Sequence, residues 1–271
     1  MKKIENKTIL ITGATGGLGQ TFAKLLCNNN NHLILTSTSE EKINTLISEL
    51  KDLDNKATIT PLICNLLDIN SINSVINYLI ENKISLDILI NNAGYITEGS
   101  VENANIETLT NCIQVNCIGT MQLTKKVLDI KKNSQSLRII TIASMAGDYP
   151  MPYMATYAST KSFLKNFMLA LGYEYRKRNV ECLVVQPGAI ATSVAMQEAI
   201  KAQGLKGKMS AVSPQKIAIN SIKKSLKGRK VYTPGVFNKL TKFVSFFAPT
   251  TLKMKAISSM WKKSQEKRNI R

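Results

Sequence analysis

"TILITGATGGLG" (residues 8–19) decides the fold. Its first five residues are an apolar, β-branched run that reads as a buried strand. The glycine-rich remainder ends that strand and opens a helix. Gly13 permits a tight turn, while Gly17 and Gly19 let the backbone come close to a bound anion such as a pyrophosphate. The free N–H groups and the positive end of the following helix favour that anion. The spacing is G-x-x-x-G-x-G, not the commoner G-x-G-x-x-G, and glycines also serve plain turns. What carries the reading is the position after the first strand of a βαβ unit.

Working outward, short β-branched runs alternate with longer helical patterns. Strands are predicted at 8–12, 33–37, 58–64, 86–90, 138–143, 181–186 and 230–233, and helices at 18–29, 40–51, 70–82, 105–131, 156–177 and 214–226. Ser213 as N-cap and Pro214 at the first helical position give the last helix a clean start. Right-handed crossovers then require an α/β fold, a doubly wound parallel sheet of about seven strands with helices on both faces. The 271 residues, 44% of them hydrophobic, suit one such domain over 1–235 with a C-terminal helical extension over 236–271. Five scattered cysteines without a C-x-x-C read as reduced thiols and a cytoplasmic setting. The lone histidine, His32, builds no His-based zinc site and is expected at a strand entrance. No metal site, secretory signal or transmembrane helix is predicted.

Five motifs appear in order: the glycine-rich turn from Thr12, "NNAG" at 91–94, a serine after a hydrophobic strand at Ser144, Y-x-x-x-K at 157–161, and "PG" at 187–188. With these the chain resembles the short-chain dehydrogenase/reductase family, common single-domain type, over about residues 5–235. Tyr157 and Lys161, four residues apart, share one helix face, and an ammonium within reach is expected to lower the phenol's pKa. The resemblance implies a Rossmann-type domain in which Tyr157 is the general acid/base at a carbonyl and Ser144 donates to the same oxygen. Lys161 holds the nicotinamide ribose, and Asn116 holds a relay water. It also implies cofactor contacts from Gly13, Thr15, Gly17, Leu18 and Gly19, and near adenine from Asn65, Leu66, Asn91, Asn92, Ala93 and Gly94. Pro187, Gly188, Ile190 and Thr192 belong to the nicotinamide end.

The second strand ends in "LTSTSEEK", with Ser37 and Thr38 where NAD-using relatives carry an acid. No acid repels a 2′-phosphate there, and Lys42 is near, so NADP(H) is favoured, with NAD(H) the alternative. Glu41 reads as the partner of Thr38 in a helix-capping box. Asn65 departs from the aspartate usual in relatives. The implied activity is reduction of a hydrophobic ketone or aldehyde, or the reverse; a non-catalytic nucleotide-binding sensor or scaffold is the other class.

Residues 193–212 occupy the place of a substrate loop, with Met196, Ile200, Leu205 and Met209 as an apolar lid or as packing of a short helix. Tyr149, Met151 and Tyr153 are expected on the opposite wall. The formal net charge is +18, and residues 227–271 carry 12 Lys/Arg against the single acid Glu266. Within the tail, Val236, Phe237, Leu240, Phe243, Val244 and Phe247 form one apolar stripe. Leu252, Ala256, Ile257 and Met260 form a second, ahead of Trp261. This pattern favours an anionic membrane surface, making a membrane-associated cytoplasmic protein; the alternative is a helical pair packed on the domain or a partner. No recognition motif supports nucleic acid. The resemblance implies a homo-oligomer, dimer or tetramer, through the 105–131 and 156–177 helices.

Overall fold

The computed structural model describes residues 4–27, 30–53, 56–192, 194–202 and 204–269. Strands β1 (Thr8–Ile11), β2 (His32–Ser37), β3 (Thr58–Ile63), β4 (Ile88–Asn91), β5 (Leu137–Ile142), β6 (Val180–Val185) and β7 (Val231–Tyr232) form one parallel sheet. Their spatial order is β3-β2-β1-β4-β5-β6-β7. The chain winds outward in one direction from β1 to β3 and in the other from β4 to β7. A crevice therefore opens at the carboxyl ends of β1 and β4, where the winding reverses.

The first three crossovers carry α1 (Gly17–Leu26), α2 (Glu40–Lys51) and α3 (Ile69–Glu81). Then come α4 (Ile106–Ile113), a π-helical turn (Gln114–Gly119), α5 (Thr120–Ile130) and α6 (Ala155–Glu174). α7 (Val194–Ala202), α8 (Gly204–Ser210) and α9 (Pro214–Leu226) precede the tail helices α10 (Val236–Phe247) and α11 (Thr250–Asn269). Alternation along β1 sends Ile9 and Ile11 to one face, among Phe22, Leu46 and Ile217 of α1, α2 and α9. Leu10 faces the other side, among Ile72, Val127 and Met168 of α3, α5 and α6. Covering both faces explains why the strands read as continuous apolar runs. Each such fully buried side chain stabilises the fold by roughly 1.5–3 kcal/mol relative to exposure.

The seven predicted strands are all found, with ends shifted by one or two residues. Pro61 is tolerated inside β3 because that strand pairs only with β2, and an edge strand can spare a donor. His32 begins β2, as expected for a strand entrance. Helix 18–29 is observed to Leu26; residues 28 and 29 lie outside those described. The single helix expected over 105–131 is instead interrupted by the π turn around Asn116, a distortion common at functional sites. The Thr38–Glu41 capping box is not formed. Ser39, one residue later, is the N-cap of α2 and accepts from the Lys42 N–H at 3.2 Å, because β2 runs to Ser37 and Thr38 is the bend that follows it. Within the expected loop, residues 194–202 form α7 and 204–210 form α8; residues 193 and 203 and the side chain of Leu205 lie outside those described. Among the described residues no helix is long and apolar enough to cross a membrane.

Asn91, at the end of β4, does not border the nucleotide cleft. It is buried, and its amide donates to Thr124 on α5 at 3.0 Å and Thr141 on β5 at 3.2 Å. An Asn91→Ala variant leaves two buried hydroxyls without that partner, and its urea midpoint is expected to fall by the equivalent of about 1–3 kcal/mol. An unchanged midpoint would show that the trio contributes nothing to the sheet.

Candidate active site

A cleft of about 640 Å³ lies at the carboxyl ends of the central strands. Gly13, at φ +60°, starts the turn after β1; a Cβ there would also sit 2.9 Å from the Ala93 Cα. The turn is held from β4: Asn92 Nδ2 donates to the carbonyls of Thr12 and Gly13, both at 3.0 Å. The Thr12 hydroxyl accepts from the backbone N–H groups of Asn92 and Ala93 at 3.0 Å. Gly16 caps α1 and lines the cleft, so the helix N-terminus faces it. Both glycines of the GG pair therefore border the cleft, Gly16 as well as the expected Gly17.

Thr15, Gly17 and Leu18 line this cleft, as do Ser37, Thr38, Asn65 and Leu66. So do Asn92, Ala93, Gly94 and Lys161, and at the far end Pro187, Gly188, Ile190 and Thr192. Gly19 does not line it: a Cβ there would meet the Gly13 carbonyl at 2.3 Å and Asn92 Nδ2 at 2.8 Å, so this glycine serves the packing of the turn itself. Ser37 hydroxyl and Thr15 hydroxyl are 3.0 Å apart, joining the end of β2 to the glycine-rich turn. Lys42 is exposed and does not line the cleft. Cys64 does, but burial pushes its thiol up to about 11, which keeps it a neutral wall group.

A second cavity of about 370 Å³ adjoins the first. Ser144 and Tyr157 line both, so the two hydroxyls stand at the junction. Ser144 follows β5 and accepts from the Ala146 N–H at 3.1 Å as the cap of a short 3-10 turn; its hydroxyl donates to the Pro187 carbonyl at 3.5 Å and lies beside the Tyr157 phenol. Lys161, one turn along α6, is 4% exposed. Its ammonium donates to the Ile142 carbonyl at 3.1 Å and lies 5.6 Å from the Tyr157 ring centre. Desolvation pushes this lysine down to about 8. The phenol departs from expectation: burial pushes Tyr157 up to about 12, with the Ser144 hydroxyl pulling the other way. Burial dominates, and the phenol is held protonated, as a proton donor requires.

Asn116, in the π turn, is fully buried and lies outside both cavities. Its amide oxygen accepts from the Tyr95 N–H at 2.8 Å, and its Nδ2 donates to the Tyr95 carbonyl at 2.8 Å and the Thr160 hydroxyl at 2.9 Å. Both amide protons are thereby engaged within the protein.

The second cavity is walled by Met145, Met151, Met154, Met196 and Met260. Tyr149 also lines it, whereas Tyr153, at φ +66°, is turned away into a separate pocket beside Ala104 and Asn105. Ile200 faces the cavity and is buried; Met209 is exposed. The tail supplies a wall that motif reading missed: Phe237 and Thr241 of α10 and Ala256, Ile257, Met260 and Trp261 of α11. Only the helical periodicity of 252–261 could have hinted at it.

A buried carboxylate fixes this wall. Asp148 accepts from Lys165 of α6 at 2.6 Å and from Gln186 at 2.9 Å, and pairs with Lys242 of α10 at 3.0 Å. Burial pushes its carboxyl up, but the three donors together hold it below the ordinary value.

A family model described as short chain dehydrogenase matches residues 7–203. Among relatives, dehydrogenase/reductase SDR family member 7B of Xenopus laevis is 27% identical over 197 residues, which are 71% of this chain and 61% of that protein. A very-long-chain 3-oxoacyl-CoA reductase of Neurospora crassa is 32% identical over 189 residues, 69% of this chain and 57% of its own length. The match thus spans less than two thirds of either relative. Among solved structures, an actinorhodin polyketide ketoreductase variant with NADPH has the same fold, with a TM-score of 0.74 at 23% identity over 85% of this chain and 96% of that one.

Asp148→Ala strands two lysines beside the second cavity. The expected loss is about 2–3 kcal/mol in denaturant unfolding, less than for a fully buried pair because Lys165 and Lys242 keep 26% and 32% of their side-chain surface. Because the carboxyl is held below its usual range, its contribution is present at neutral pH and disappears as pH falls below about 4. A variant with wild-type stability at pH 7 would show that the carboxylate does not hold the tail.

Proposed function

Because the chain belongs to the short chain dehydrogenase family, we propose that it is an NADP(H)-dependent oxidoreductase that reduces an apolar or lipid-like ketone or aldehyde, or oxidises the alcohol. The observation that carries this reading is the placement of the Ser144 and Tyr157 hydroxyls at the junction of a nucleotide-sized cleft and a methionine-lined cavity. The glycine-rich turn and the α1 N-terminus suit a pyrophosphate, and the space around Pro187, Ile190 and Thr192 suits the nicotinamide end. When bound there, the dinucleotide supplies the hydride. The Ser37 and Thr15 hydroxyls, with no acid lining that end of the cleft, favour a 2′-phosphate.

At the junction, a substrate oxygen that gains negative charge meets two hydroxyl donors. Tyr157, protonated across the physiological range, gives the proton; Ser144 stabilises the charge and holds the phenol in place. Lys161 keeps a positive charge beneath the phenol and stands ready to replenish it. Adaptable methionines favour an apolar substrate of variable shape, in keeping with the long-chain oxoacyl substrate in the name of the Neurospora relative.

The reading extends to a homo-oligomer, dimer or tetramer, through α4, α5 and α6; α6 carries a stacked Phe163–Phe167 pair, with Phe163 38% exposed. It also extends to contact between the basic tail and an anionic membrane on a cytoplasmic face.

Energy transfer from the single tryptophan, Trp261, to bound reduced nucleotide reads cofactor choice, with tighter binding expected for NADPH than NADH. Binding of neither would overturn the reading. Tyr157→Phe is expected to lower kcat by roughly 10²–10⁴-fold while leaving the NADPH Kd within about threefold. Turnover near wild type would remove Tyr157 from the chemistry. The kcat/KM for reduction is expected to fall as pH rises through about 8, where burial makes Lys161 lose its charge. A flat profile to pH ~10 would separate Lys161 from the rate.

A further inference from the structure

Helix α10 is packed inside out. Its polar face is turned to the protein: Asn238 is 1% exposed and donates to the carbonyls of Ser210 at 2.9 Å and Pro234 at 2.8 Å. On the same face, Thr241 lines the second cavity and Lys242 pairs with Asp148 and Gln186. Its apolar face is turned to solvent. Val236 is 83% exposed, Phe243 65%, Phe246 80% and Phe247 69%, with Leu240 and Val244 beside them at 59%. Val236, Leu240, Phe243, Val244 and Phe247 recur at helical spacing, so they form one continuous stripe. The rings of Phe243 and Phe246 each pack edge-on against Phe247, 5.3 and 5.2 Å away. A stripe of this size is rarely left to water.

Directional contacts on the polar side fix which way the stripe points, so burying it against its own domain would break them. The surrounding charge selects the occupant. Lys239, Lys255 and Lys262 are exposed on the same helix pair, and from residue 227 onward the only acid is Glu266. A second copy would bring two such lysine sets together, whereas an anionic lipid surface offers hydrocarbon to the stripe and opposite charge to the lysines.

We propose that the outward face of α10 seats the protein on an anionic bilayer, and that the carbonyl substrate is a compound dissolved in that leaflet. This rests on the membrane contact and the reductase activity in the reading above, and adds the surface and the route. The same helix pair that meets lipid on its outer side walls the methionine-lined cavity on its inner side, through Phe237, Met260 and Trp261. A lipid-borne carbonyl compound then reaches Tyr157 by passing one layer of helix rather than bulk water.

The test is co-sedimentation of the full chain with phosphatidylcholine vesicles containing about 30% phosphatidylserine, against phosphatidylcholine alone. Phe243→Ser/Phe247→Ser is the comparison, since neither ring touches the cavity or the cleft. The wild type is expected to bind anionic vesicles, and the variant about tenfold more weakly. In the same vesicles, NADPH-dependent reduction of hexadecanal should fall with binding while reduction of soluble butanal stays level. Equal binding by both proteins overturns the α10 surface but leaves membrane contact standing. No binding by the wild type overturns both. Loss of a wild-type dimer in the variant, seen by light scattering, assigns the stripe to a second copy and overturns the proposal. Vesicle binding with no reduction of either aldehyde leaves the docking surface in place and overturns the proposed route together with the reductase reading.

Discussion

A buried ammonium organises the catalytic end of this fold. Removing a cation from water is costly, and among the described residues Lys161 is compensated by one directed acceptor, the Ile142 carbonyl, and by the face of the Tyr157 ring. Neighbouring residues must therefore stay clear while holding the lysine in place. Gly147 lacks a side chain where a Cβ would come within 2.6 Å of the Lys161 backbone, which lets the 3-10 turn after Ser144 lie directly on α6. Gly94 leaves open the space above Nζ, where a Cβ would sit at 3.3 Å. Asn116 clamps the Tyr95 backbone to Thr160, one residue before Lys161. The ends of β4 and β5, the π turn and α6 thus converge on one charge.

That convergence also divides the site. On one side lie helix-terminal N–H groups and hydroxyls suited to phosphate; on the other lies a cavity lined by thioethers and aromatic rings. Ser144 and Tyr157 belong to both, so charge developing on a carbonyl oxygen arises where a polar and an apolar environment meet. Water exclusion on the apolar side strengthens each hydrogen bond at the junction. The same exclusion raises the phenol and lowers the lysine, so proton donor and cation are tuned by one cause.

The sheet was legible because parallel strands buried on both faces leave uninterrupted apolar runs, and the cleft because its turn chemistry is local. Gly13 is needed for a backbone angle, and the order of motifs along the chain follows from the winding. Legibility failed where an outcome depended on contacts distant in sequence. Whether Gly19 faces a ligand or the Gly13 carbonyl cannot be read from a G-x-G spacing. Nor can the π turn be read from the apolar pattern of 105–131, since one extra residue per turn barely disturbs it. Ser39 displaced Thr38 as the cap because Thr38 is taken up by the bend between β2 and α2. Tyr153 turns away because its backbone is left-handed, which no neighbouring residue announces.

The tail shows the same limit most clearly. A stripe of apolar residues at helical spacing establishes that a helix has two unlike faces; it does not say which one meets the protein. In α11 the ordinary choice holds, with Ile257, Met260 and Trp261 turned inward. In α10 the choice is reversed, because Asn238 finds carbonyls at Ser210 and Pro234, and Lys242 finds the carboxylate of Asp148, far earlier in the chain. A helix held by its polar side gains little from hydrophobic burial against its own domain, and its position depends on a few directed bonds. Those bonds set orientation sharply while leaving the apolar face free, and an outward stripe retained at that cost is most simply explained by a surface that covers it.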